Sequence, residues 1–285
     1  MSLIEDILQV LPFGPWRNPA PSVAVLRLDG VIGMRGRRSL TLRRLAPAIE
    51  RAFALRNLKA VALIINSPGG SPVQSSLISR RIRQLAQEKA IPVVAFAEDV
   101  AASGGYWLAL AADEIFAEET SLLGSIGVVT ASFGFAEALR KLGIQRRLYT
   151  AGENKSMLDP FLTEDPKGVE RLTTLQHDMH DSFKDLVRAR RGAKLKGDES
   201  ELFSGEIFTG RRALERGLID GVGDLREVMR ARYGDAVRFR PIEPDRRRLS
   251  LLSWLGLPRR PDIGDLAADL LARLEEHVIW ARFGL

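Results

Sequence analysis

The sequence predicts an α/β fold: a mostly parallel sheet flanked by helices. Three observations carry that reading. Short apolar runs at 59–65 and 91–97, of the kind buried on both sheet faces, alternate with stretches of helical character. Such alternation implies right-handed crossovers between parallel strands. Glycine-rich turns follow both runs: Asn66-Ser67-Pro68-Gly69-Gly70-Ser71 after the first, Ala101-Ala102-Ser103-Gly104-Gly105 after the second. Sites in such sheets form beyond the carboxyl ends of the strands. Finally, the 285 residues are 45% hydrophobic and 27% charged, an ordinary globular composition with room for one large domain or two ordinary ones.

The elements follow in order. Leu3, Ile4, Ile7, Leu8 and Leu11 recur at helical spacing and predict a short amphipathic helix. Pro12, Pro15, Pro19 and Pro21 make a linker that cannot be helical. A strand is expected at 22–28, ended by Asp29-Gly30, then a helix at 40–55 and a strand at 59–65. An amphipathic helix at 73–89 leads to the strand at 91–97. Residues 106–113, rich in Ala and Leu without Gly or Pro, favour a helix. A strand at 114–117 and a Gly-punctuated turn at 123–129 come next. A helix at 133–142, a strand at 145–149 and a long amphipathic helix at 166–190 follow. Helices at 211–216 and 224–233 and a strand at 236–239 complete the main body. From Pro241 the composition turns to Arg, Pro, Trp and Leu. Residues 262–283 read as a helix striped by Leu266, Leu270, Leu274 and Val278. The chain thus divides into a segment and linker at 1–21, a domain at 22–240, and a basic linker with a C-terminal helix at 241–285.

Composition excludes several chemistries. There is no Cys, so disulfides, thiolate catalysis and Cys-based metal sites are absent. His177, His180 and His277 are the only histidines; the first two could share a helix face but have no acidic or Cys partner in pattern and read as solvated, so a His-dependent triad is poorly supported. No metal or organic cofactor is implied. The net charge is +6, with basic clusters around Arg188–Lys196, Arg246–Arg248 and Arg259–Arg260. No zinc-finger or RNP-type pattern accompanies them, so no nucleic-acid partner is expected. No apolar run of about 18 residues suggests a transmembrane helix. Glu5 and Asp6 stand where a secretory signal would be basic.

Ser103 is the residue to weigh most closely. It falls at a strand-to-helix junction, near the positive end of a helix dipole. A serine there can simply cap the helix. A cap does not need Ala101, Ala102, Gly104 and Gly105 around it, whereas an approachable nucleophile does.

Several motifs lie in order along the chain: Asn66-Ser67-Pro68-Gly69-Gly70, Ala101-Ala102-Ser103-Gly104-Gly105-Tyr106, Ala111-Ala112-Asp113, Gly124-Ser125-Ile126-Gly127-Val128, Lys155-Ser156, Phe208-Thr209-Gly210-Arg211 and Gly217-Leu218-Ile219-Asp220. Taken together, they resemble the bacterial signal peptide peptidase A, or protease IV, family of Ser/Lys-dyad serine peptidases. They cover roughly 22–240. The resemblance implies a ClpP/crotonase-like fold for that domain. It also implies Ser103 as nucleophile, Lys155 as general base, Ser125 as the serine orienting the lysine, and the Gly70 amide in the oxyanion hole. It implies further a homo-oligomer acting on peptides, apolar or unfolded ones such as released signal peptides, through an acyl-enzyme.

The chemistry has its own logic. A serine hydroxyl needs a base, and lysine serves only when uncharged, a form favoured by burial. Bland readings stand beside each assignment: Lys155 as a solvated loop lysine, Ser125 as a turn serine, Gly70 as a turn glycine. A crotonase-like acyl-CoA hydratase or thioesterase, working through Glu98 and Asp99, is one rival; an inactive membrane-associated scaffold is another. Members of the resembled family usually carry an N-terminal anchor, in whose place only 1–11 stands. The expected location is therefore cytoplasmic or peripheral at the inner membrane. Leu249, Leu251, Leu252, Trp254, Leu255 and Leu257, flanked by basic residues, offer a peripheral membrane contact or a docking tail.

Overall fold

The computed structural model describes residues 20–34, 39–244, 274 and 276–285. The expected helix at 1–11, the linker up to Pro19, the stretch 249–257, and Leu266 and Leu270 of the C-terminal stripe lie outside the described residues.

Among the described residues eight strands form one mixed sheet. They are β1 (Ser22–Asp29), β2 (Leu58–Ser67), β3 (Val93–Ala102), β4 (Glu114–Ala117), β5 (Leu122–Gly124), β6 (Ile207–Thr209), β7 (Gly221–Val222) and β8 (Arg238–Ile242). The main path runs β6-β5-β3-β2-β1-β8, with β4 bridging β3 to β7. Every pair is parallel except β5 with β6. The helices of the main body are α1 (Leu42–Phe53), α2 (Pro72–Lys89), α3 (Gly104–Ala109), α4 (Ala136–Lys141), α5 (Pro166–Arg191), α6 (Glu199–Leu202), α7 (Gly210–Glu215) and α8 (Leu225–Tyr233), and residues 276–281 near the C-terminus are also helical.

Period-two alternation makes two cores. Ala24, Leu26 and Leu28 of β1, Val61, Leu63 and Ile65 of β2, and Val93, Ala95 and Ala97 of β3 face the larger one. There they meet Leu45 and Ile49 of α1 and Ile78 and Ile82 of α2. Val23, Ala62, Ile64, Val94 and Phe96 face the smaller core, which Met229 of α8 helps to close. Each large apolar side chain buried this way contributes about 1.5–3 kcal/mol before entropy is counted. Ser71 and Asp165 cap α2 and α5 through their side chains, with Pro72 and Pro166 as the first helical residues.

One strand changes partners midway. Val94–Ala97 of β3 pair with β4, whereas Val100–Ala102 pair with β5. Polar Glu98 and Asp99 sit at the fork, which is why the apolar run ends at 97 while the ladder continues to Ala102.

Several expected elements differ, and the helix expected at 133–142 is confined to Ala136–Lys141. Residues 145–149 form no strand: the segment is exposed apart from half-buried Leu148, and among the described residues no strand pairs with it. The helix expected at 106–113 ends at Ala109, because Asp113 turns back to the sheet, its amide donating to the Val93 carbonyl (2.7 Å) and its carboxylate accepting from the Val93 amide (2.9 Å). The last strand is shifted to Arg238–Ile242; Pro241 is tolerated because β8 lies at the sheet edge.

Residues 129–162 form an arm with little tie to the sheet. Phe133, Leu142, Ile144 and Tyr149 are exposed, Tyr149 by 89%. The arm holds itself together instead. The Phe135 ring stacks on Phe161 at 5.6 Å, Arg146 lies over Phe161, and Arg146 pairs with Asp159 at 2.8 Å.

Candidate active site

Ser103 sits between β3 and α3 with φ +51° and ψ −120°. That positive φ in a non-glycine residue costs about 1–3 kcal/mol and persists only where surrounding contacts hold it. The holding contacts are explicit. The Ser103 amide donates to the Gly124 carbonyl (2.8 Å), and its carbonyl accepts from the Trp107 amide (3.0 Å). The hydroxyl makes no capping hydrogen bond. The side chain therefore lacks the role that a helix-start serine ordinarily fills.

The glycines around it serve chain crossing. A Cβ on Gly105 would collide with the Ser67 carbonyl oxygen, and one on Gly104 would lie 2.5 Å from Ser75 Oγ. Gly69, at φ +105°, packs against the Ser103 turn from the other side. Ile32 fixes the next residue: its amide donates to Gly69 (2.8 Å) and its carbonyl accepts from Ser71 (2.8 Å). Both bonds go to the residues flanking Gly70, so the Gly70 amide points away from Ile32. Any side chain on Gly70 would strike the Ile32 carbonyl.

Ser125 follows β5 with φ +49°, its amide donating to the Glu206 carbonyl at 2.7 Å. The fork in β3 thus brings the Ser103 turn and the Gly124–Ser125 turn side by side. Lys155 lies elsewhere, in a turn of the arm where its amide donates to the Gly152 carbonyl (3.2 Å). Its side chain is exposed, and among the described residues no hydrogen bond or ion pair joins it to Ser103 or Ser125. One chain therefore gathers Gly70, Ser103 and Ser125 and leaves Lys155 on the arm.

Three features escaped the sequence. Gly104 follows the serine as the first residue of α3, where amides have no intrahelical partner. Gly69 forms the floor of the turn. His180 is not simply solvated: it is half-buried, with Nε2 3.1 Å from the Ile126 carbonyl. The carboxylates that a crotonase-like reading would use are committed elsewhere. Glu98 takes both guanidinium nitrogens of Arg27 (2.5 and 2.7 Å), and Asp99 accepts from Asn66 (3.2 Å). Among the described residues no group of His, Asp or Glu could hold a metal ion.

Behind α3 lies a buried polar knot. The Tyr106 hydroxyl donates to the Leu218 carbonyl (2.7 Å), and burial pushes the phenol well above its ordinary range. Arg191, whose side chain is only 2% exposed, pairs with Asp220 at 2.7 Å; Lys194 takes the other oxygen at 2.7 Å. Burial works against the Asp220 charge. Hydrogen bonds from Arg191, Lys194 and the Ile115 amide outweigh it and hold the carboxyl below the usual carboxylate range.

Residues 85–236 match the family model of Peptidase family S49. Over 279 residues the chain is 50% identical to a Brucella abortus protein named Na(+)/H(+) antiporter NhaA, covering 95% of this chain and 38% of that one. It is 36% identical to the chloroplastic serine protease SPPA of Arabidopsis thaliana, over 71% of this chain and 29% of that one. It is 30% identical to Protease 4 of Haemophilus influenzae, over 79% and 37%. The chain thus spans well under half the length of these relatives, and the antiporter name belongs to the longer Brucella protein. Among the described residues no helix is long and apolar enough to cross a membrane. The family match covers more than half of the chain and includes the Ser103 turn, so the chain belongs to Peptidase family S49, a family of serine peptidases.

Proposed function

We propose that this chain is a Ser/Lys-dyad endopeptidase that cleaves apolar or unfolded peptides, such as released signal peptides, through an acyl-enzyme. The observation that carries the reading is Ser103 itself: a strained, non-capping serine clamped beside the Gly69–Gly70 turn. Lys155, uncharged, removes the Ser103 Oγ proton as Oγ bonds to the scissile carbonyl carbon. The amides of Gly70 and Gly104 donate hydrogen bonds to the developing oxyanion. The tetrahedral intermediate expels the amine, which takes the proton from Lys155, leaving an ester on Ser103. Water, deprotonated by Lys155, then hydrolyses that ester. Ser125 holds the lysine in line.

Self-association belongs to the same reading. Lys155 must leave water to serve as a base, and the exposed apolar arm that carries it gives a second copy something to cover. The test is cleavage of a quenched fluorescent apolar peptide by purified wild type, Ser103→Ala and Lys155→Ala. Loss in both variants is expected. Retention of most of the rate by Lys155→Ala would remove the lysine from the mechanism.

A further inference from the structure

Helix α5 touches every part of the candidate site that the sheet does not fix. It is 26 residues long, about 39 Å at 1.5 Å per residue. Near its start, Gly168 lies against the Lys155 turn: a Cβ there would be 3.3 Å from Met157 Cγ and 3.5 Å from Leu158 Cδ2. About 18 Å further along, His180 Nε2 sits 3.1 Å from the carbonyl of Ile126, the residue after Ser125. One turn on, the Phe183 ring packs on Trp107 of α3 at 4.8 Å, next to the nucleophile turn. Phe183 and Val187 are buried in the larger core, so this end of the helix is anchored. The other end holds the turn from which Lys155 projects.

From this arrangement we infer that His180 is a positioning residue for the peptidase site, holding the Ser125 turn against the anchored part of α5. The inference rests on the dyad reading, since Ser125 matters only if Lys155 does. A carbonyl can only accept, so His180 Nε2 carries the hydrogen in this contact. Ile126 is fully buried, and its carbonyl is therefore a fixed anchor. Ser125 sits at positive φ, a conformation that the surroundings must enforce. The Glu206 carbonyl restrains the turn through the Ser125 amide, and His180 restrains it through the next carbonyl. Removing the second restraint lets Ser125 drift while Ser103, held through Gly124, stays in place. His180 touches neither substrate nor reacting atoms; its effect passes through Ser125.

The experiment uses the full chain and the apolar peptide substrate, with His180→Leu, His180→Gln, Ser125→Ala, the His180→Leu/Ser125→Ala double variant and Lys155→Ala. The expected result for His180→Leu is a kcat lower by about tenfold to a hundredfold, the scale of a small misplacement in a catalytic site. KM and the melting temperature should stay close to wild type. His180→Gln, which keeps a donor at the position of Nε2, should recover most of the rate. The double variant should be no worse than the poorer single one. A wild-type kcat for His180→Leu, additive losses in the double variant, or a melting temperature that falls in step with kcat without rescue by Gln would each overturn the inference. Lys155→Ala separates the two levels. If it is inactive while His180→Leu is normal, only the positioning role falls; if it is active, the dyad falls and the positioning role with it.

Discussion

Gly69 and Ser103 approach so closely that a Cβ on Gly69 would lie 2.9 Å from the Ser103 Cβ and 2.8 Å from the Gly104 amide nitrogen. The strained serine is held by this contact as well as by the Gly124 carbonyl. Gly69→Ala therefore meets two penalties, the positive φ and the collision. Each is worth roughly 1–3 kcal/mol. The expected outcome is a lower melting temperature together with loss of peptide cleavage. An alanine variant as stable and active as wild type would show that the turn has room to relax.

Nucleophile and base that act as one unit have losses that do not add. Ser103→Ala, Lys155→Ala and the double variant should share one residual rate, lower by roughly a thousandfold or more. Lys155→Arg should be equally inactive, because arginine stays charged and cannot take the proton. Ser125→Ala should be milder, since nucleophile and base both remain. Rates measured on the quenched peptide decide this; multiplicative losses would mean that the two residues act independently.

Assembly can be read directly. A single 31.6 kDa species in sedimentation at micromolar concentration would contradict self-association; a larger species is expected. Phe133 is 79% exposed and Tyr149 89%, so charge at either position has no buried contact to break within one chain. Phe133→Glu with Tyr149→Glu should shift sedimentation toward the monomer and lower the specific activity together, with the melting curve of the sheet domain unchanged.

The Arg191–Asp220 pair predicts a pH-dependent stability. Asp220 has a carboxyl held below its unfolded value, so its contribution is present above about pH 4 and fades as pH falls through the folded-state value. Asp220→Asn leaves the buried Arg191 charge uncompensated, at a cost of about 3–5 kcal/mol. Thermal melts should show a wide gap between wild type and Asp220→Asn at pH 7 that narrows in acid. A gap independent of pH would mean that the carboxylate charge is not what stabilises the knot.

The sequence was a good guide where local pattern and burial coincide. The runs in β2 and β3 are apolar because both sheet faces are covered, and the Pro-initiated α2 and α5 announce their own starts. It was a poor guide where pairing decides. Residues 145–149 have strand-like composition but no partner strand among the described residues, and β3 continues through Glu98 and Asp99 because β5 receives it. Motif order pointed to Ser103, yet its positive φ and uncommitted hydroxyl depend on Gly69 and Gly124, contacts that no spacing rule encodes. His180 left no trace because its partner is a backbone carbonyl, identical in every residue type.

The arm and the sheet also differ in what damage to them would look like. The Ser103 turn is knitted into the ladder, its amide bonded to the Gly124 carbonyl of β5. Lys155 stands exposed on a segment with little tie to the sheet, so its replacement should leave the melting temperature close to wild type. On the dyad proposed above, a survey of variants scored by abundance or thermal stability would rate Lys155 as tolerant, and one scored by peptide turnover would single it out.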